Sequence, residues 1–190
     1  MPWKNYSKLI PDGSHAFLSP SSYHWYKYDL NKLRLVYKNW KAAQMGTILH
    51  DHARRCIDLG TRLYDEGTTL DMYVNDAISL RMKPEQTLYY SKYCYGTADA
   101  ISFKGDKLLI HDLKTGVTPA SIHQLEIYAA LFCLDYDIRP CDIDSTLRIY
   151  QNNSIVESKA TPEIILPYMD TIKTFSEVLQ EIDEEEDERG

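Results

Sequence analysis

Residues 96–114 read GTADAISFKGDKLLIHDLK, and this stretch decides the fold. Apolar, strand-like residues lie on both sides of the segment KGDK at 104–107, which has the composition of a turn. The stretch therefore predicts a β-hairpin. Because the two strands of a hairpin lie side by side, Asp99 on the first strand and Asp112 on the second are expected at one edge of a sheet.

The sequence on either side extends this hairpin into a larger sheet covered by helices. Residues 86–95, rich in Tyr and Thr, predict a strand before it and thus a three-stranded meander. Helices are predicted within 19–41, at 44–64, at about 70–80, from Pro119 to about 134 and from Pro162, with strands at 143–150 and 154–158 around Asn152-Asn153. This order predicts an α/β (α+β) protein with a central mixed β-sheet flanked by helices.

Length and composition fit a globular protein. The chain has 190 residues, of which 44% are hydrophobic and 26% are charged, and these values are ordinary for a folded domain. The sequence contains no run of about 18 apolar residues, and residues 1–6 (MPWKNY) lack the apolar core of a secretory signal. We therefore expect a cytoplasmic protein with one domain over residues 1–180 and no membrane partner.

The net charge of −7 conceals two opposite ends. Residues 1–41 carry seven Lys and Arg against two Asp, a net of +5, whereas residues 181–189 carry seven acids against one Arg, a net of −6. The basic residues 1–41 predict a helical segment that either meets a phosphate backbone or is an ordinary solvated surface. Residues 181–190 are expected to form an acidic, disordered tail, because so charged a segment buries little apolar area.

Asp99, Asp112 and Lys114 have the chemistry of a divalent-metal site. Two carboxylates tolerate their mutual repulsion when a cation neutralises it, and oxygen ligands favour hard ions such as Mg²⁺ or Mn²⁺. Positions 112 and 114 of a strand point to the same face, so Lys114 can reach the same centre. The Leu113 side chain then points into the core and leaves its carbonyl as a ligand. The same triplet also occurs on surface hairpins and does not decide the function by itself.

Two helical segments add polar side chains to this picture. His50 ends the segment GTILH and lies beside the apolar stripe of the 44–64 helix. Gln124 and Tyr128 are four residues apart, so they share one helix face next to the apolar one. Each also has a structural interpretation: His50 at the rim of a core, and the other two as amphipathic residues at a core margin.

The motifs in combination resemble the RecB-like branch of the PD-(D/E)XK nucleases, which includes RecB-type nuclease domains and phage recombination exonucleases. The motifs are GTxxH at 46–50, GTAD at 96–99, DLKTG at 112–116 and QLxxYA at 124–129. The opening LSPSSYHW at 18–25 looks like the start of a phage-encoded group within that branch. The resemblance covers about residues 18–134, and its specificity comes from the combination of motifs.

This resemblance implies a PD-(D/E)XK core, similar to that of restriction endonucleases, and a set of site residues. The implied metal ligands are His50, Asp99, Asp112 and the Leu113 backbone carbonyl, and the implied catalytic set is Asp99, Asp112, Lys114, Gln124 and Tyr128. Lys114 matches the catalytic lysine of the family, and the helix pair matches a motif that supports the site. Glu85 lies near the place where many relatives carry an acid, with no role assigned to it.

The resemblance also bears on DNA contacts and on cofactors. Ser21, Ser22, Trp25 and Lys27 are expected to bind the substrate. Some RecB-like nucleases hold an iron–sulfur cluster, and their first cysteine lies upstream of the motif histidine. No cysteine precedes His50, and the four cysteines form no C-x-x-C pair. We therefore expect Mg²⁺ or Mn²⁺ as the cofactor and no iron–sulfur cluster.

The expected function is that of a metal-dependent DNA exonuclease in phage-type recombination or DNA processing, acting in the host cytoplasm if the chain is phage-encoded. Its expected partners are DNA and a strand-annealing recombination protein, and homo-oligomerisation is left open. Two alternatives stay open as well: a structure-specific or restriction-like endonuclease with the same residues, and a catalytically silent DNA-binding or assembly protein. A structural zinc protein would need a ligand spacing that this sequence lacks.

Overall fold

The computed structural model of the protein describes residues 16–187. These residues belong to two compact units, residues 1–45 (unit 1) and residues 46–190 (unit 2). One domain over residues 1–180 stays a prediction. The helices are α1 Leu30–Leu59, α2 Thr69–Ser79, α3 His123–Asp135 and α4 Pro162–Asp187, with 3-10 helices at Pro20–Lys27 and Pro140–Asp142. The strands are β1 Lys83–Ser91, β2 Cys94–Lys104, β3 Lys107–Leu113, β4 Asp144–Gln151 and β5 Ser154–Ser158.

The five strands form one mixed sheet, as the sequence predicted. They lie in the order β1-β2-β3-β4-β5, and neighbouring strands are antiparallel except β3 and β4, which are parallel. Parallel neighbours need a crossover connection, and α3 lies in the segment that joins them. The predicted meander is formed by β1, β2 and β3, and the fold class is α+β.

Helices cover both faces of this sheet. One buried cluster joins α3 and α4 to Leu108 and Ile110 of β3, and the other joins α2 and the second part of α1 to Leu113. Positions 110 and 113 lie on opposite faces of a strand, so the two clusters lie on opposite faces of the sheet. The prediction that the Leu113 side chain enters the core is confirmed, since 1% of this residue is exposed.

The tight turns follow from local sequence. Asn152 and Asn153 join β4 to β5 with φ angles of 50° and 55°. Asn tolerates this left-handed region better than most residues do, and a two-residue hairpin needs it at both positions. The Asn153 side chain also accepts a hydrogen bond of 3.0 Å from the backbone N–H of Thr69, which ties this turn to the start of α2.

Helix α1 begins earlier than the 44–64 helix that the sequence predicted. Its buried residues, Gly46, Ala53, Cys56 and Ile57, all lie in unit 2, so only that part shows the apolar periodicity on which the prediction depended. The residues that open α1 are mostly Leu, Lys, Arg and Asn, and the first three of these have high helix propensity. Ser19 precedes the first 3-10 helix but makes no side-chain capping hydrogen bond.

The acidic end of the chain is helical through Asp187, where the sequence predicted a disordered tail. Asp183 accepts hydrogen bonds of 2.6 Å from Lys92 Nζ and from Tyr93 Oη in the β1–β2 turn. These contacts give the charged segment a local anchor that its composition does not reveal. Residues 188–190 of the predicted tail lie outside the described residues.

Two further sequence expectations concern the cysteines and membranes. The four cysteines are free thiols; Cys56 and Cys133 are buried, Cys94 is half-buried and Cys141 is exposed, so three of them lie in or near the core. Within residues 16–187, no helix has both the length and the apolar character needed to cross a membrane.

Candidate metal centre

Asp99 and Asp112 face each other across β2 and β3. The register pairs Ala100 with His111, which places Asp99 opposite Asp112 just beyond the last paired residues. Asp112 is 3% exposed, and Asp99 is half-buried. The backbone N–H of Leu113 donates a hydrogen bond of 2.9 Å to Asp99 Oδ2, which fixes that carboxylate against β3. The hairpin therefore brings two carboxylates that are thirteen positions apart in sequence into one site.

His50 reaches the same carboxylate from α1. Its Nδ1 lies 3.5 Å from Asp99 Oδ2. One turn earlier, Gly46 is buried, and a Cβ atom at this position would lie 2.8 Å from Thr115 Oγ1. The glycine of the GTxxH segment thus permits a close approach between α1 and the loop after β3. That approach places the histidine beside the two carboxylates.

Glu85 joins this group, although no role for it was predicted from the sequence. Ligand atoms of His50, Glu85 and Asp99 all lie within 4.8 Å of one another. Pro84 pairs with Ala100 and Gln86 with Ala98, so Glu85 stands opposite Asp99 on β1. Its φ is +50°, a backbone conformation that costs free energy for a residue with a Cβ atom. Counting the strand register from the hairpin could have placed this acid, but its backbone conformation has no signal in the sequence.

The electrostatics of the site favour an added cation. Burial raises the pKa of Asp99, and the neighbouring Asp112 raises it further. Burial also raises the pKa of Asp112, and the nearby Lys114 only partly opposes this effect. Among the described residues, buried Asp112 Oδ2 has no hydrogen-bond partner. An unpartnered buried carboxylate oxygen beside other acids is a costly arrangement that a divalent cation would relieve.

The donor atoms suit a hard or borderline ion. Carboxylate oxygens match Mg²⁺ and Mn²⁺, and an imidazole nitrogen shifts the preference towards Mn²⁺. His50, Glu85, Asp99 and Asp112 are therefore the side chains that could hold such an ion. The Leu113 backbone N–H is hydrogen-bonded to Asp99. That the Leu113 carbonyl is a further metal ligand stays a prediction.

Lys114 lies between the carboxylates and α3. Its Nζ donates hydrogen bonds of 3.0 Å to Asp112 Oδ1 and of 2.9 Å to Gln124 Oε1. Its backbone N–H also donates to the carbonyl of Tyr150 at 2.9 Å, which continues the pairing of β3 with β4. The side chain of Gln124 thus orients the lysine from the first turn of α3.

Tyr128 makes a different contact from Gln124, although the two share a helix face. Its hydroxyl donates a hydrogen bond of 2.6 Å to the carbonyl of Thr97 on β2. Gly96 gives the ring room, since a Cβ atom there would lie 3.0 Å from Tyr128 Cε1. Burial raises the pKa of the Tyr128 hydroxyl, so this group stays protonated and remains a donor. Tyr128 therefore fastens α3 to the strand that carries Asp99.

Gln151 holds the loop between Lys114 and α3, and the sequence did not indicate it. Its Nε2 donates hydrogen bonds to the carbonyls of Gly116 and Thr118, the latter at 2.8 Å. Its Oε1 accepts a hydrogen bond of 3.0 Å from the backbone N–H of Ala120. A polar residue at the end of an apolar strand is the only local signal, and the contact partner lies more than thirty positions away.

Two open grooves flank His50 and Lys114. One, of about 410 Å³, is lined by Thr47, His50, Asp51, Arg54 and Glu85. The other, of about 380 Å³, is lined by Leu49, Thr68, Thr69, Leu70, Leu113, Lys114, Thr115, Asn152 and Asn153. Arg54 is the cation of the first groove, and it forms ion pairs with Asp51 and Asp58. The site is thus open to solvent on two sides.

The four expected DNA-contacting residues lie in the 3-10 helix of unit 1, Pro20–Lys27. Ser21 and Ser22 are exposed, and the Ser21 hydroxyl shares a hydrogen bond of 2.8 Å with that of Ser19. The indole N–H of Trp25 donates to the Ser19 carbonyl at 2.9 Å, so this ring is held within the unit. Lys27 lies over the ring of Tyr26. Their contacts with DNA stay a prediction.

Comparison with protein-family models, with curated proteins and with solved structures gives no match to this chain.

Proposed function

We propose that the protein is a metal-dependent deoxyribonuclease of the PD-(D/E)XK kind that hydrolyses phosphodiester bonds, acting as an exonuclease. The observation that carries this proposal is the site itself: ligand atoms of His50, Glu85 and Asp99 lie within 4.8 Å of one another. Asp112 stands opposite Asp99 in the strand register, and Lys114 is hydrogen-bonded to Asp112. The resemblance of the motifs to RecB-like nucleases supports the same function.

His50, Asp99 and Asp112, joined by Glu85, would hold the ion, for which we propose Mg²⁺ or Mn²⁺. A divalent cation supplies Lewis-acid polarisation of a phosphoryl oxygen and neutralises the surrounding carboxylates. The chain supplies the geometry: the Leu113 N–H holds Asp99, and the hairpin register holds Asp112 opposite to it. Preorganised ligands of this kind do not have to reorganise during the reaction.

Lys114 supplies the positive charge that acts on the substrate. Its ammonium group can orient the attacking water and donate a hydrogen bond to a phosphate oxygen as negative charge develops there. Gln124 Oε1 accepts a hydrogen bond of 2.9 Å from Lys114 Nζ and so keeps the lysine side chain directed towards Asp112. Tyr128 and Gln151 fix the helix and the loop on either side, so we propose that they position Lys114 and do not themselves touch the substrate.

Digestion of end-labelled DNA tests this proposal. Linear and circular DNA, labelled at the 5′ or the 3′ end where an end exists, is incubated with the protein and Mg²⁺, Mn²⁺ or a chelator. An exonuclease releases nucleotides from the ends of linear DNA and leaves circular DNA intact. The Asp112→Asn variant should be inactive, and Asp106→Asn, in the exposed turn between β2 and β3, is the matched control.

The alternatives give different products in the same assay. Cleavage of circular DNA would indicate an endonuclease with the same residues, and binding without cleavage would indicate a silent DNA-binding protein. Full cleavage in excess chelator would refute the metal mechanism. A role in phage-type recombination, beside a strand-annealing protein, is part of the proposal and follows only if the exonuclease activity is found.

A further inference from the structure

Unit 1 exposes aromatic rings in a pattern that the metal centre does not explain. None of residues 16–45 is buried, yet this segment contains seven aromatic Phe, Tyr and Trp side chains. Tyr23 is 56% exposed and Tyr26 is 63% exposed. Aromatic side chains that are held in the open, without a core to fill, indicate a surface that binds something.

The first ring pair lies on the 3-10 helix. The rings of Tyr23 and Tyr26 are 6.5 Å apart and inclined by only 23°. His24 stacks on Tyr23, with 4.4 Å between the ring centroids and an angle of 20°. Lys27 Nζ lies 5.4 Å from the centre of the Tyr26 ring. Two nearly parallel exposed rings therefore stand beside an ammonium group.

A second ring pair with the same features lies on α1. The rings of Tyr37 and Trp40 are 5.7 Å apart and inclined by 16°, and both are exposed. Lys41 Nζ lies 5.9 Å from the centre of the Tyr37 ring. Phe17 packs against both rings, which holds the pair in place.

The net charge of unit 1 indicates which class of ligand this surface could bind. Residues 16–45 carry five Lys and Arg against Asp29 alone, a net of +4. A polyanion with flat, unpaired ring systems matches both features, since its bases stack on aromatic side chains and its phosphates meet the lysines. Duplex DNA keeps its base faces stacked inside the helix and offers only the phosphates.

We propose that unit 1 binds single-stranded nucleic acid, with bases stacking on the Tyr23–Tyr26 and Tyr37–Trp40 ring pairs and phosphates contacting Lys27 and Lys41. The choice of DNA as the strand rests on the proposed nuclease function. A second copy of this chain is the rival occupant, because Leu30 and Leu35 of α1 are exposed as well. Lysine is depleted at protein–protein interfaces, and here it accompanies both ring pairs, which favours the nucleic acid.

The test is the fluorescence anisotropy of a labelled oligothymidylate with the full chain in a chelator, so that no cleavage occurs. The oligonucleotide has about 20 nucleotides, which exceeds the roughly 4–16 that one stacking groove occupies. The Tyr23→Ala/Tyr26→Ala variant should bind about 10-fold to 100-fold more weakly, because it can no longer stack bases at this pair. Tyr26→Phe keeps the ring and should bind like the parent, as should Tyr64→Ala, which removes an exposed tyrosine from unit 2.

Salt and duplex DNA sharpen the result. For Lys27→Gln/Lys41→Gln, the slope of log affinity against log salt should fall by about 0.7 for each phosphate that the variant no longer binds. A blunt duplex of the same length should lose little affinity in the tyrosine variant. Equal weakening of single strands and duplex would overturn the stacking, and equal binding by parent and tyrosine variant would overturn the site.

Sedimentation velocity tests whether a second copy of this chain occupies the surface instead. The parent should be no more associated than the tyrosine variant at the concentrations of the binding assay. Self-association that disappears in the variant, with binding of the oligonucleotide unchanged, would show that the ring pairs contact a second copy and would overturn the proposal. Because binding is measured without metal, it can hold when cleavage fails, and cleavage can hold when binding fails.

Discussion

The two units of the chain present opposite kinds of polar surface. In unit 2, Asp112 is almost wholly buried, and burial together with neighbouring acids raises the pKa of Asp99. In unit 1, Lys27 and Lys41 stand in the open beside exposed aromatic rings. The first arrangement concentrates negative charge at buried and half-buried positions beside two open grooves, and the second spreads positive charge over a solvated surface.

The difference suits unit 2 to a chemical reaction and unit 1 to the binding of a nucleic-acid strand. A reacting centre needs buried, preorganised charges, because electrostatic interactions weaken in water. A flexible charged strand needs exposed rings and cations that follow its backbone. Single substitutions in the proposed metal centre should therefore abolish cleavage. Successive substitutions on the surface of unit 1 should each lower the affinity for single strands by a part. Substitutions confined to unit 2 should leave the binding of single strands by unit 1 unchanged.

After the complete loss of activity expected for Asp112→Asn, the largest effect is expected for Lys114→Gln. The variant should lose about 10²-fold to 10³-fold in cleavage rate, the usual cost of removing one electrostatic contact to a transition state. In a chelator, its affinity for single-stranded DNA should fall far less than its cleavage rate, because the ring pairs of unit 1 are unchanged. Lys104→Gln, at the exposed end of β2, is the matched control and should cleave normally. A Lys114 variant that cleaves at the parent rate would remove the lysine from the mechanism.

A smaller effect with two opposite parts is expected for Glu85→Gly. Glycine adopts the φ of +50° without strain, so the melting temperature should rise. The loss of a carboxylate near His50 and Asp99 should weaken Mn²⁺ binding by about 10-fold to 100-fold, the range seen when groups around a metal site are removed. Calorimetry and thermal unfolding measure the two quantities. Unchanged Mn²⁺ affinity would leave Glu85 outside the metal centre.

Gly46→Ala tests the close approach of α1 to the loop after Lys114. Alanine stabilises a helix by about 1 kcal/mol relative to glycine, but here its Cβ atom would meet Thr115 Oγ1 at 2.8 Å. The substitution should therefore stabilise the protein only in a Thr115→Ala background. A double-mutant cycle by urea unfolding should give a coupling free energy of about 0.5–1 kcal/mol. Additive effects would show that the contact carries no strain.

The smallest effect is expected at the acidic end of α4. Asp183→Asn weakens the exposed pair with Lys92, and such pairs contribute less than about 1 kcal/mol to the free energy of unfolding. The variant should unfold within a few degrees of the parent, and Glu186→Gln, one turn later in the same helix, is its control. A drop well beyond the control variant would show that the helix end is a structural part of unit 2.

The hairpin and its site were accessible from sequence because their determinants are local. The turn at 104–107 and the strand-like residues around it set the register, and the register alone places Asp99 opposite Asp112. The buried positions Ala53 and Cys56 mark the inner face of α1, and by themselves they place His50 only at the rim of a core. Its role as a metal ligand was predicted only through the resemblance of the combined motifs.

What escaped prediction depends on distant partners or on backbone conformation. Gln151 contacts a loop more than thirty positions away, and nothing near it in the sequence reveals the partner. Glu85 required both the full strand register and an uncommon φ angle. The helical end of α4 required the anchoring of Asp183 by Lys92 and Tyr93, whereas its composition favoured disorder.

A calorimetric titration of Mn²⁺ into the parent protein and into Asp112→Asn tests the central claim most directly. We expect saturable binding by the parent and its loss in the variant, because the substitution removes a buried charge whose Oδ2 has no other partner among the described residues. The Asp106→Asn control should bind as the parent does. Equal binding by all three proteins, or no binding by the parent, would contradict the metal centre.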